Sequence, residues 1–252
     1  MTKGYLLFAV DSQEVNYSKL ALACALSIKV TQPKGLANVS VVTNNKGYFD
    51  TDIFDHIIPS GMTAGMDARA QAYDLSPYDE TVLLDSDMLF LKPMDHCWAL
   101  VKDLDLFIST APQNYRSQSF NYGYYRKIFV DNNWPDVYSA WTYFKKSARA
   151  KEFFDLVKDI TANAKDYIDR LIPNSGLTSM PTDEAMALAL VLLDIEDQVV
   201  FPHWQFPKIT HMKSMVQGWD SAPADWHENL RFTVDSQAQV QLGVWQQAEL
   251  LH

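Results

Sequence analysis

A single α/β domain organised on a parallel sheet is the architecture predicted by this 252-residue chain, and three observations predict it. Short apolar runs end abruptly in polar residues: 6–10 at Asp11, 39–42 at Thr43-Asn44-Asn45, and 81–84 at Asp85. Segments of helical period lie between the runs and after them. Hydrophobic residues make up 48% of a sequence that no linker, repeat or low-complexity tract divides, enough for one packed core. An apolar, β-branched run that stops at a carboxylate reads as a buried strand with an exposed carboxyl-terminal tip. Ligands bind parallel sheets at such tips, which singles out Asp11, Asn44 and Asp85.

The elements follow in order. Residues 6–10 form the first strand, and over 17–30 Leu20, Ala21, Cys24, Ala25 and Ile28 recur at three and four, the spacing of a helix that covers a sheet. Residues 39–42 and 54–58 are the second and third strands, the latter closed by Pro59 and Gly61. A helix is expected over 66–73, a turn at Ser76-Pro77-Tyr78, and the fourth strand over 81–84. Beyond Pro93, 104–109 and 137–144 read as strands, and the aromatic, aperiodic stretch 111–135 reads as a long functional loop. Phe153, Phe154, Val157 and Ile160 mark an amphipathic helix over 148–164. Thr182 is the expected N-cap of an apolar helix reaching Leu193, with Asp183 and Glu184 in its first turn. Strands are expected at 199–201 and ending at His211, followed by a Trp-rich tail from Trp219 with little regular pattern.

Composition excludes several classes of function. A formal net charge of -10 argues against a nucleic-acid backbone as main partner, which demands a basic face. Cys24 and Cys97 are too sparse for a disulfide framework or a zinc site, so they read as buried thiols in a reducing compartment. No apolar run approaches membrane length, and residues 6–10 are too short for a signal-peptide core; a cytoplasmic protein is expected.

Chemistry concentrates at Asp85-Ser86-Asp87. Side chains alternate in an extended chain, so the two carboxylates point one way and Ser86 the other. Carboxylates so placed repel unless something positive lies between them, and a divalent cation held by oxygen ligands, with room left for phosphate oxygens, answers that need. Taken alone, the tripeptide also reads as a solvated turn.

The surrounding residues carry a resemblance. The run Val82-Leu83-Leu84-Asp85-Ser86-Asp87-Met88-Leu89 with Lys92-Pro93 resembles the Asp-x-Asp block of metal-dependent GT-A glycosyltransferases, most similar to glycosyltransferase family eight. Phe8-Ala9-Val10-Asp11 with Tyr17 looks like that family's first nucleotide-binding strand and helix, and Arg69 sits where a basic residue often approaches the nucleotide sugar. Tyr138-Ser139-Ala140 matches a strand that usually reads Asn-x-Gly, and Asp183-Glu184 takes the place of a sugar-contacting Asp-Gln pair. The stretch from His211 to Trp219 keeps the spacing of a late His-x-x-Gly-x-x-Lys-Pro-Trp motif, with Ser214, Gln217 and Gly218 in place of its glycine, lysine and proline.

The resemblance implies one GT-A domain over 1–252, a Rossmann-like nucleotide-diphospho-sugar transferase fold with a mixed, mainly parallel sheet. Residues 1–95 would form the nucleotide-binding half, 96–219 the sugar and acceptor half, and 220–252 a tail. It implies transfer of a sugar from a nucleotide diphosphate, UDP favoured, to a hydroxyl on a glycan or other acceptor, with retention of configuration. Asp85, Asp87 and His211 would hold Mn²⁺, with Mg²⁺ as the substitute, and imidazole among carboxylates favours manganese. Donor contacts fall to Ala9, Val10, Asp11, Tyr17, Asn44, Arg69, Asp85, Ser86 and Trp219, with Lys213 as stand-in for the missing lysine. Asp183 and Glu184 become the catalytic acids, and Glu184 acting as a general base would instead give inversion. Both also read as first-turn acids facing a helix dipole, His211 as a strand-end histidine and Arg69 as a surface residue.

Two rival functions remain. A haloacid dehalogenase-type phosphatase also places Asp-x-Asp after an apolar strand, but that motif wants Thr or Val where Leu89 stands and lies nearer the amino terminus. A catalytically degenerate GT-A domain that only binds nucleotide or glycan fits the altered late motif.

Overall fold

The structure is a computed structural model that describes residues 1–13, 15–61, 66–90, 92–110, 126–196, 231–234 and 240–243. Its centre is a six-stranded sheet built from β1 (Lys3–Ala9), β2 (Val39–Thr43), β3 (His56–Pro59), β4 (Glu80–Leu84), β5 (Leu106–Thr110) and β6 (Val137–Lys145), in the order β3-β2-β1-β4-β6-β5. The first four strands are parallel, with Leu7 of β1 opposite Val41 of β2 and Leu84 of β4. β6 runs antiparallel to both β4 and β5. The fold is therefore α/β with a mixed, mainly parallel sheet.

Residues of β1 alternate between two cores, which is why no helix-like period appears there. Tyr5, Leu7 and Ala9 face a layer formed by α1 (Tyr17–Thr31) and α3 (Asp95–Val101), through Ala21, Cys24, Ala25, Ile28, Cys97 and Trp98. Leu6, Phe8 and Val10 face the opposite layer, formed by α5 (Ala148–Ala162) and α7 (Thr182–Leu193). The smaller helices are α2 (Ala72–Leu75), α4 (Lys127–Asp131) and α6 (Ala164–Leu171). Asn16 caps α1 by accepting from the Lys19 N–H at 2.8 Å, and Ser147 caps α5 by accepting from the Ala150 N–H at 3.2 Å.

Several sequence expectations are corrected. Residues 66–73 are mostly a 3-10 turn, Met66–Gln71, that passes into α2, so the expected α-helix is tighter and ends at Leu75. The third strand starts at His56, because Phe54 leaves the strand line to be buried in a core. The stretch 111–135 is not wholly loop, since α4 lies within it. The helix at 148–164 breaks after Ala162 and continues as α6. Pro181, not Thr182, occupies the N-cap of α7, and no side chain caps that end. The tail carries two strands, β7 (Arg231–Val234) and β8 (Val240–Gly243), paired antiparallel. The strands expected at 199–201 and 209–211 lie outside the described residues. Cys24 and Cys97 are free and buried. Among the described residues no helix is long and apolar enough to cross a membrane.

Candidate functional site

β1 leads on one side to β2 and β4 lies on its other side, so the carboxyl ends of β1 and β4 flank a topological switch point. Because β6 is reversed, its amino-terminal end arrives at that same edge, and the Asp85 N–H donates to the Ala140 carbonyl at 3.0 Å. A cavity of about 1340 Å³ opens there. Among its lining residues are Val10, Tyr17, Arg69, Asp85, Ser86, Asp87, Ser139, Asp183 and Glu184.

The Asp85-Ser86-Asp87 loop is fastened from three directions. Ser86 is buried and donates its hydroxyl to the Phe8 carbonyl at 2.6 Å, which locks the tip of β4 onto β1. The Phe90 N–H donates to Ser27 Oγ at 3.0 Å, and the Met94 N–H to Gln32 Oε1 at 2.9 Å, holding the following chain against α1. Both aspartates are thereby left on the cavity wall.

The positive group beside these carboxylates is Arg69, which the 3-10 turn brings into an ion pair with Asp85. Its Nη2 also donates to the Ser139 carbonyl at 2.6 Å, while its Nε is buried without a hydrogen-bond partner among the described residues. Burial pulls the Arg69 guanidinium down to about 10, opposed by the charges of Asp183 and Asp87, so it stays cationic at neutral pH. A side chain thus supplies positive charge beside Asp85.

Across the cavity, α7 presents Asp183 and Glu184 from its first turn. Asp183 accepts from the Ser139 N–H at 2.9 Å and from Arg126 Nη1 at 2.8 Å. Arg126 has no exposed surface, donates through Nε to Asp136 at 2.8 Å, and stacks 4.2 Å from the Phe129 ring centroid. Glu184 is 7% exposed. Burial pushes its carboxyl up to about 7, reinforced by the charge of Asp183 and opposed by its own backbone N–H and Arg126. Two adjacent acids therefore stand in different surroundings: Asp183 accepts hydrogen bonds from a backbone N–H and a guanidinium, and buried Glu184 can carry a proton near neutrality.

Not every expected residue comes to the cavity. Asp11 turns its carboxylate back onto α1, accepting from the Ser18 N–H and the Ser18 hydroxyl, each at 2.7 Å. The Asn44 side chain holds the Asp11 backbone, its Oδ1 accepting from the Asp11 N–H and its Nδ2 donating to the Asp11 carbonyl. Ala9 is fully buried, and neither it, Asp11 nor Asn44 lines the cavity. His211, Lys213 and Trp219 lie outside the described residues. Among the described residues no three of His, Cys, Asp and Glu gather into a metal site.

The sequence reading missed Arg126 and Asp136 as site residues. An isolated arginine in an aromatic stretch gives no sign of burial, since arginine is almost never fully buried unless paired, and its partners stand 10 and 57 residues away. The chain matches no protein-family model, and no curated protein matches it.

Proposed function

We propose that this chain is a metal-dependent glycosyltransferase that moves a sugar from a nucleotide diphosphate, UDP favoured, to an acceptor hydroxyl. The supporting observation is that one cavity holds two chemically distinct acid pairs: Asp85 and Asp87 at the tip of β4, and Asp183 and Glu184 at the start of α7. The first pair suits the charged diphosphate end of a donor, and the second suits the sugar and acceptor end.

The donor set fits a hard divalent cation. Such ions are held by one or two carboxylates together with substrate phosphates and water, and Asp87 with Asp85 supplies the carboxylates. A bound Mn²⁺, or Mg²⁺, neutralises the leaving diphosphate as a Lewis acid. The remaining chemistry belongs to this chain's own residues. Arg69 balances Asp85 and presents positive charge to the donor. Asp183, fixed by Arg126 and Ser139, faces the sugar in a set orientation. Glu184 exchanges a proton at its carboxylate as the acceptor hydroxyl reacts. The family resemblance favours retention, whereas Glu184 as sole base gives inversion; proton NMR of the first-formed anomer decides between them.

One observation favours a second reading, a binding protein that does not turn over: Asp85 already has a cationic partner in Arg69. Incubation with UDP-, GDP- and CDP-sugars and Mn²⁺, scored by released nucleotide, separates the two. Turnover is expected with one donor and is abolished in Asp87→Ala; full turnover in that variant overturns the mechanism.

A further inference from the structure

We infer that Arg126 is a positioning residue: its guanidinium, held between Asp136 and Asp183, fixes the acid corner of the cavity in which Glu184 works. What Glu184 does there rests on the transferase reading, but the placement rests on geometry alone.

Arg126 opens α4, a short helix in a stretch of the chain that otherwise reads as loop, yet its side chain is the second largest of those fully buried among the described residues. A guanidinium withdrawn from water is tolerated only when its donors are met. Nε and Nη2 are taken by Asp136, Nη2 also by the Val137 carbonyl, and Nη1 by Asp183. Asp136 and Val137 lead directly into β6, so the fork joins α4 to the start of that strand and to the start of α7.

The junction continues through Ser139. Its N–H donates to Asp183 and its carbonyl accepts from Arg69, which in turn pairs with Asp85. Asp136, Arg126, Asp183, the two backbone polar groups of Ser139, Arg69 and Asp85 thus form one run of contacts from the sugar-side acids to the tip of β4. Every link is a named contact rather than mere proximity.

A surface ion pair does not account for this arrangement. Burying a guanidinium with two carboxylates gives little net stability compared with an apolar core, so its value lies in the geometry that it fixes. Of these partners, Asp183 lines the cavity. The charged groups that act on the Glu184 carboxyl are Asp183 on its own helix and Arg126 at the start of α4. From α5, also packed on α7, the buried residues are apolar: Ala150, Phe153, Phe154, Val157 and Ile160. Arg126 contacts Asp136 and Asp183 directly and acts on the Glu184 carboxyl through its charge.

Two measurements test the role, and neither needs a donor. Carboxyl-¹³C NMR titration of glutamate-labelled protein, with Glu184→Gln for assignment, reads the Glu184 midpoint, expected near 7. Arg126→Gln removes the cation and is expected to raise that midpoint by about one pH unit. Arg126→Lys keeps the charge but loses the fork. It is expected to leave the midpoint nearly in place while hydrogen exchange at the Ser139 amide, the donor to Asp183, accelerates about tenfold. An unmoved midpoint in Arg126→Gln, or unchanged Ser139 exchange in Arg126→Lys, overturns the assignment. Should Arg126→Gln fail to fold, Asp136→Asn removes the far support while leaving the guanidinium; faster Ser139 exchange supports the role and an unchanged rate refutes it. Both results together with no turnover of any nucleotide sugar would defeat the transferase reading alone, whereas donor turnover with neither result would defeat the role of Arg126 alone.

Discussion

Carboxylates at strand tips do different work according to what faces them. Asp11 and Asp85 both end apolar strands, yet Asp11 closes on Ser18 of its own crossover helix while Asp85 closes on Arg69 across the sheet edge. The sequence shows that a strand ends in a carboxylate, because hydrophobic burial writes the strand into local composition. It does not show where that carboxylate points, because the partner arrives from elsewhere in the chain. The same limit applies to Asp183 and Glu184, adjacent in sequence and both legible as first-turn acids, of which one meets Arg126 and the Ser139 N–H while the other is buried. Glu184 carries the clearest pH dependence. Its carboxyl lies above the usual 4.5, at about 7, so the folded chain binds a proton more tightly than the unfolded chain between those values. Stability contributed at this site is therefore lost as pH rises through that window. Glu184→Gln is expected to gain up to about 3 kcal/mol over the unaltered chain at pH 8 and nothing at pH 4, measured by urea denaturation at both pH values. In turnover assays the same variant loses the activity that rises through neutral pH in the unaltered protein.

Among the elements, legibility tracked period and length. The strands of the sheet and helices α1, α5 and α7 were visible because each repeats its apolar residues over several turns or pleats. Helices α3, α4 and α6 were missed or absorbed into neighbours, since they have only 7, 5 and 8 residues and owe their shape to packing rather than pattern. The N-cap of α7 was misplaced by one residue because Pro181, which accepts a helix start through its fixed backbone, leaves Thr182 inside the first turn. The latch between β1 and α1 supports a prediction at this scale. Asp11→Ala removes three hydrogen bonds to the carboxylate, from the Ser18 N–H, the Ser18 hydroxyl and Asn45 Nδ2, and is expected to cost about 2–4 kcal/mol, whereas Ser18→Ala, which removes one of them, costs about a third as much. Thermal unfolding of the two variants checks the ratio. If Asp11 served the nucleotide rather than the latch, Ser18→Ala would leave stability untouched.

For the whole molecule, the predicted α/β class with a mixed, mainly parallel sheet is what the backbone adopts. The cavity's position at the switch point was equally open to the sequence, because strand polarity fixes where loops gather. The reversal of β6 is what the sequence could not disclose, as an apolar run reads the same in either direction. A molecule whose two acid pairs come from β4 and from α7 should tighten as a unit when the cavity fills. UDP with Mn²⁺, each far above its dissociation constant, is expected to raise the melting temperature by about 5–10 °C, with UDP alone giving less and Asp87→Ala removing the manganese increment. Differential scanning calorimetry reads all three.

The reversed strand also bears on how the chain comes off the ribosome. Glu80, Thr81, Val82, Leu83 and Leu84 of β4 are fully or nearly buried, and one of their two edges is satisfied only by β6, the last strand of the large sheet to be synthesised. Until residues 137–145 emerge, the nascent amino-terminal half presents an open apolar edge of the kind that templates aggregation. A fragment of residues 1–95 is therefore expected to precipitate, and adding a separately made 96–252 fragment during refolding should keep it in solution, as light scattering will record. The centre of this cavity is thus the last part of the sheet to be completed.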